Sequence, residues 1–149
     1  MLEETISLRY KIAGGDFSNA GYASSQIKKR LQKLNIHQKL IKKIVIALYE
    51  AEINVVAHAY NAVIIVNIDN DKICVNIKDN GPGIPDINQA MEKGYSTASS
   101  KIREMGFGAG MGLSNIKKNS DKLEIRSKVN EGTEISIINY RIYPRNENN

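Results

Sequence analysis

Ala47–Tyr60 reads ALYEAEINVVAHAY, a mostly apolar run in which Glu50, Asn54 and His58 recur at one spacing. At about 100° per residue, steps of four on a helix advance by only about 40°, so these three side chains form one narrow polar stripe. Most of the remaining circumference is Ile, Val, Leu, Ala and Tyr, the pattern of a largely buried helix. A buried carboxylate without a basic neighbour three or four residues away is costly. Positions 46, 47, 53 and 54 hold no Lys or Arg, so the helix gives Glu50 no partner and another part of the fold must meet the stripe. Taken alone, the segment fits equally well a stripe that faces solvent or caps a neighbour.

Outward from this helix, the flanking patterns alternate between two periods. Thr5–Ile12 alternates as a strand, with Ile6, Leu8, Tyr10 and Ile12 on one side, and Gly14-Gly15-Asp16 ends it. From about Ser18 to Leu34, Ala20, Ala23, Ile27, Leu31 and Leu34 have helical spacing, while Lys28, Lys29 and Arg30 make a basic solvated face. Asn35, with Gln38 three residues on, reads as the cap of the second helix, which runs to about His58. Ala62–Asp69 and Lys72–Lys78 form a hairpin around Asn70-Asp71. Met111–Ser120 reads as a helix, Leu123–Val129 and Thr133–Tyr140 as strands turned at Asn130-Glu-Gly132, and the polar tail from Pro144 as frayed. Between them, Ile84–Met105 carries only a short helical piece near Ile87–Lys93, and a loop that long is the length of a lid or binding loop. Five strands and three main helices predict an α+β two-layer sandwich, a mixed β-sheet with helices on one face, in a single domain over residues 1–149.

Composition excludes several classes. With 149 residues, 42% of them hydrophobic and a quarter charged, the chain has one globular domain's worth of core. The single cysteine, Cys74, rules out a disulfide framework and suits a reducing compartment. No run of about 18 apolar residues occurs and the N-terminus is acidic and alternating, so a cytoplasmic protein without membrane contact is expected. The net charge of +5 is scattered in twos and threes among acids, and the aromatics make no stacking platform, so direct nucleic-acid binding is disfavoured. Acidic protein partners or a polyphosphate ligand account for the balance equally well. His58 reads as structural, since no Cys/His cluster supports a zinc site.

Two glycine-rich segments follow the helix: Asp79–Ile84, DNGPGI, at the end of a strand, and Gly106–Leu113, GFGAGMGL, opening a helix. The second fails the G-x-G-x-x-G spacing from any starting glycine, and no Gly-Lys dipeptide exists for a Walker A loop, so those two nucleotide-binding classes are disfavoured. Alternating glycines ahead of a helix can turn several amides toward one anion, although a ligand-free flexible loop has the same look. Asp79 can likewise be part of a plain Asp-Asn-Gly-Pro turn. Taken with Glu50-xxx-Asn54 and in this chain order, the segments resemble the GHKL-type ATP-binding domain shared by gyrase, heat-shock chaperones, histidine kinases and mismatch-repair ATPases. The resemblance covers roughly Ile41 to Ile137 and implies the Bergerat-type ATP-binding fold.

It also implies roles. Asp79 would accept a hydrogen bond from the adenine amine, where guanine has a carbonyl, and so favour ATP over GTP. Gly81 and Gly83 would let the backbone approach the base, and Thr133 would complete the base's hydrogen bonds. Gly106, Gly108, Gly110 and Gly112, with Met111 and Leu113 in the same segment, would surround the phosphates. Asn54 would ligate Mg²⁺, a hard cation that takes its other ligands from water and phosphate oxygens. Glu50, one turn earlier, would orient or deprotonate the nucleophile. In the lid, Lys101 and Arg103 are candidates for the γ-phosphate.

Within that family, Asn54-Val-Val-Ala-His-Ala-Tyr60 and Lys93-Gly-Tyr-Ser-Thr97, with the glycine run after them, are similar to bacterial anti-sigma-factor serine/threonine kinases and stress-response switch kinases. The resemblance implies ATP-dependent phosphorylation of a small STAS-type antagonist protein. A sigma factor, a phosphatase and a second copy in a homodimer are further partners it allows. Two other readings stay open: a nucleotide-gated module that sequesters its partner without phosphate transfer, and a detached histidine-kinase catalytic domain.

Overall fold

The computed structural model describes residues 5–92 and 112–141. In chain order these form β1 (Ile6–Ala13), α1 (Tyr22–Lys33), α2 (Gln38–His58), β2 (Asn61–Ile68), β3 (Lys72–Asn80), a one-turn α3 (Ile87–Ala90), α4 (Gly112–Lys118), β4 (Lys122–Lys128) and β5 (Gly132–Tyr140). The strands make one sheet in the order β1-β2-β3-β5-β4. Alternation decides its two faces. Ala62, Ile64, Val66 and Ile68 of β2 are buried, as are Ile73, Val75 and Ile77 of β3, while the residues between them are more open. The buried set lies under the helices, so the expected α+β layering of helices on one face is what forms.

The expected mixed sheet is antiparallel at all four pairings. Two helices join β1 to β2, which lets these neighbours run in opposite directions. β3 and β4 do run the same way, but β5 lies between them and pairs with both, so no parallel ladder forms.

Helix α2 is the centre of the helical layer and packs against α1, α4 and the strands β1 to β3. Leu40, Ile44, Leu48, Ala51, Val55 and Val56 are buried along it. Ile27 and Leu31 of α1 and Ile116 of α4 are fully covered against the same core. Each such aliphatic side chain contributes about 1.5–3 kcal/mol. Asn35 does not cap α2. It follows the last turn of α1 with φ of 56°, the left-handed position that ends a helix, and His37 takes the N-cap by accepting the Lys39 N–H at 3.1 Å. Asn at that place serves both patterns, and only the backbone conformation distinguishes them.

Candidate functional site

The predicted polar stripe exists, but it is not buried. Glu50, Asn54 and His58 are each half-buried, and among the described residues Glu50 and Asn54 make no hydrogen bond or ion pair. The buried carboxylate is Glu52, with 2% of its surface exposed, on the opposite side of α2. Its Oε2 accepts from the Gly21 and Ala23 amides at 3.0 and 3.2 Å. Its Oε1 accepts from the Ser24 amide at 2.9 Å and the Ser24 hydroxyl at 2.7 Å. Helix α1 begins at a glycine with no side chain to cap it, and Glu52 supplies the missing acceptor from another element. The signal was present in the sequence: a helix starting Gly-Tyr-Ala-Ser has unmet amides, and a second acid stood two residues after Glu50.

Asp79 lies near the end of β3 on the inward face, opposite Ala62. Its Oδ1 accepts the Thr133 amide at 3.0 Å. Burial pushes its carboxyl above the ordinary value, opposed by that amide. Thr133 is buried, and its hydroxyl lies 2.8 Å from Ser127 Oγ. Ser127 in turn accepts the Ile84 amide at 2.7 Å, and the Asn130 amide reaches Pro82 O at 2.8 Å. The DNGPGI turn is thereby fastened to the β4–β5 turn. Gly132 closes this contact with φ of 133°, where a side chain would collide with the Asp79 carbonyl. Ser127 is the member of this network that the sequence reading missed, since an isolated Ser at a strand end carries no motif.

Gly81 packs on Ala59, the residue that ends α2, so closely that a Cβ added there would lie 3.1 Å from the Ala59 Cα. The Asp79 turn therefore abuts one end of the helix that carries Glu50 and Asn54. At Gly112 a Cβ would lie 3.1 Å from both Oδ1 and Nδ2 of Asn54. The start of α4 is thus in contact with the stripe, and the Lys43–Asp121 ion pair at 3.1 Å joins the outer part of α2 to the start of β4. Leu113 is buried in the core beside Ile116. His58 has its pKa lowered by burial. Lys101, Arg103, Gly106, Gly108, Gly110 and Met111, and the lid from residue 93 on, lie outside the described residues.

Among the described residues no group of three or more His, Cys, Asp or Glu side chains could cage a metal. A site made only of protein carboxylates is absent there. A single amide oxygen such as that of Asn54 fits instead a hard cation that takes most of its ligands from phosphates and water. No described helix is long and apolar enough to cross a membrane.

Comparison with known proteins bears on this arrangement. A family model described as the histidine kinase-like ATPase domain matches residues 19–139. The serine/threonine-protein kinase RsbT of Bacillus subtilis is 41% identical over 63 residues, which are 42% of this chain and 41% of that protein. An anti-sigma F factor of Clostridium perfringens is 28% identical over 123 residues, covering 78% of this chain and 84% of the relative. A crystal structure of the RsbU and RsbW domains of Rv1364c from Mycobacterium tuberculosis superposes with a TM-score of 0.60 at 14% identity. That superposition covers 89% of this chain and 31% of the other, a likeness of fold.

Proposed function

This chain belongs to the family of histidine kinase-like ATPase domains, and on that premise we propose that it is a protein serine/threonine kinase of the anti-sigma-factor type. The observation that carries the reading is the pair Glu50 and Asn54, one turn apart on α2 and both without partners among the described residues, with Asn54 beside the start of α4. The relatives named serine/threonine-protein kinase and anti-sigma F factor support it.

In this reading Asp79, with Thr133 holding it, recognises the adenine amine, while Gly81 and Gly83 keep the turn close to the base. Gly106, Gly108, Gly110 and Gly112, with Met111 and Leu113, enclose the phosphates, and Lys101 or Arg103 reaches the γ-phosphate. Asn54 would hold Mg²⁺, which when bound neutralises phosphate charge. Glu50 accepts the proton of the acceptor's Ser or Thr hydroxyl as that oxygen bonds to the γ-phosphorus, the bond to the β-γ bridging oxygen breaks, and ADP leaves. The acceptor is a STAS-type antagonist protein.

Glu50→Gln keeps size and hydrogen bonding but removes the base. ATP affinity should stay nearly constant while transfer from γ-labelled ATP to the copurified partner falls by about 10²–10⁴. Asn54→Ala should instead weaken nucleotide binding, and only when magnesium is present. Label on the partner that survives acid assigns Ser or Thr rather than His. The relatives named anti-sigma F factor also favour a second reading, sequestration of a sigma factor. A partner that binds in an ATP-dependent way yet never acquires label would put that reading in place of the kinase.

A further inference from the structure

No described element packs on the outer face of the sheet. Strand register puts Lys11, Val63 and Lys78 in one cross-strand row, and Arg9 and Ile65 in the next. Val63 and Ile65 are thus two half-buried aliphatic side chains framed by three cations. Among the described residues Arg9, Lys11 and Lys78 form no ion pair. The nearest acids are already engaged: Glu124 binds Arg126 at 2.7 Å, and Glu134, opposite Lys78, accepts from Asn76 at 3.0 Å and faces Arg126 at 3.9 Å. Among the described residues Arg9, Lys11 and Lys78 thus have no acid of their own to neutralise them.

From this we infer that the outer sheet face is a docking surface for an acidic protein, whose carboxylates meet Arg9, Lys11 and Lys78 around an apolar contact on Val63 and Ile65. Charge complementarity of this kind steers encounter and fixes register, and an apolar centre inside a polar rim is the anatomy of a protein interface. A second copy does not fit, because a two-fold, face-to-face contact brings the same three cations together. Nucleic acid fits poorly as well. Sheet surfaces that bind single strands stack bases on aromatic rings. The one aromatic on this face among the described residues is Tyr140, which lies under the Lys122 ammonium at 5.8 Å. Asp79 points to the other side of the sheet, so a partner here leaves the helical face free for a nucleotide.

The test uses the full-length, isotope-labelled chain and a synthetic peptide of Glu and Leu residues as probe. Amide shifts should concentrate on β1, β2 and β3. The double variant Arg9→Glu/Lys11→Glu should weaken binding about tenfold or more, at an unchanged melting temperature. Lys28→Glu/Lys29→Glu on α1 should change binding by less than about twofold. Shifts centred on α1, or equal weakening by both variants, would overturn the assignment. So would tighter binding of a DNA duplex that the Arg9→Glu/Lys11→Glu variant abolishes, or a dimer in sedimentation that this variant dissolves. None of these results bears on the kinase reading, since these residues lie on the opposite face.

Discussion

Replacing Glu52 tests the least expected feature of this fold, a carboxylate that caps a helix from a different element. In Glu52→Ala the amides of Gly21, Ala23 and Ser24 and the Ser24 hydroxyl all lose their acceptor. A buried donor left unmet costs about 1–3 kcal/mol. Some relaxation and water entry are expected, so the summed loss should be about 3–5 kcal/mol, the range for breaking a buried charged network. Glu52→Gln separates the terms. Its oxygen can keep Gly21 and Ala23, and its NH₂ can donate to Ser24 Oγ, but the Ser24 amide then faces another donor, at about 1–3 kcal/mol. At about 3 °C per kcal/mol for a chain of this size, the alanine variant should melt about 9–15 °C lower and the glutamine variant about 3–9 °C lower. Thermal and urea unfolding followed by circular dichroism measure both. Glu50→Gln serves as the reference and should unfold within about 0.5 kcal/mol of wild type, because Glu50 is half-exposed and unpaired among the described residues. A Glu52→Ala loss below about 1 kcal/mol would mean that α1 does not depend on this carboxylate.

Two further outcomes follow from the Asp79 network. GTP should bind at least about tenfold more weakly than ATP in calorimetric titration, because a guanine carbonyl would face a carboxylate that burial already disfavours. Adenine binding should also weaken as pH falls through the raised Asp79 pKa, since protonation removes the charge and turns one carboxylate oxygen into a donor, and Asp79→Asn should lack that acid limb. The sign for stability is the opposite: a raised carboxyl pKa makes the free protein more stable on the acid side of that titration, an advantage lost as pH rises through it. Gly132→Ala should lower stability by about 2–4 kcal/mol in urea unfolding, because the new methyl meets the Asp79 carbonyl at a φ that L-residues avoid.

The strands were legible because each is half-buried and alternates, as in Ala62, Ile64, Val66 and Ile68. Their order was not, since the insertion of β5 between β3 and β4 depends on pairings far apart in sequence. Asn54 and Asp79 stand out in the sequence because each is at a motif spacing, and in the structure Asn54 lies against Gly112 while the Asp79 turn abuts Ala59, an arrangement of neighbours that the spacing alone does not specify. The pattern that singled out Glu50 overlooked Glu52, because a helix apolar on most sides does not say which side faces α1. The cap at Asn35 failed for a related reason: the side chain suits the end of one helix as well as the start of the next.

The place of β5 in the sheet sets the order in which the surroundings of Asp79 can be completed during synthesis. Asp79 and the amide that steadies it are 54 residues apart, and the intervening chain includes α3, α4 and β4. A nascent chain that has released β1 to β3 and both long helices already holds Glu50, Asn54 and Asp79, yet the open edge of β3 waits for β5, which follows the other four described strands. The hydrogen bond that holds Asp79 therefore arrives with the β4–β5 hairpin, so a chain interrupted before Thr133 keeps Glu50, Asn54 and Asp79 without the amide that steadies the last of them.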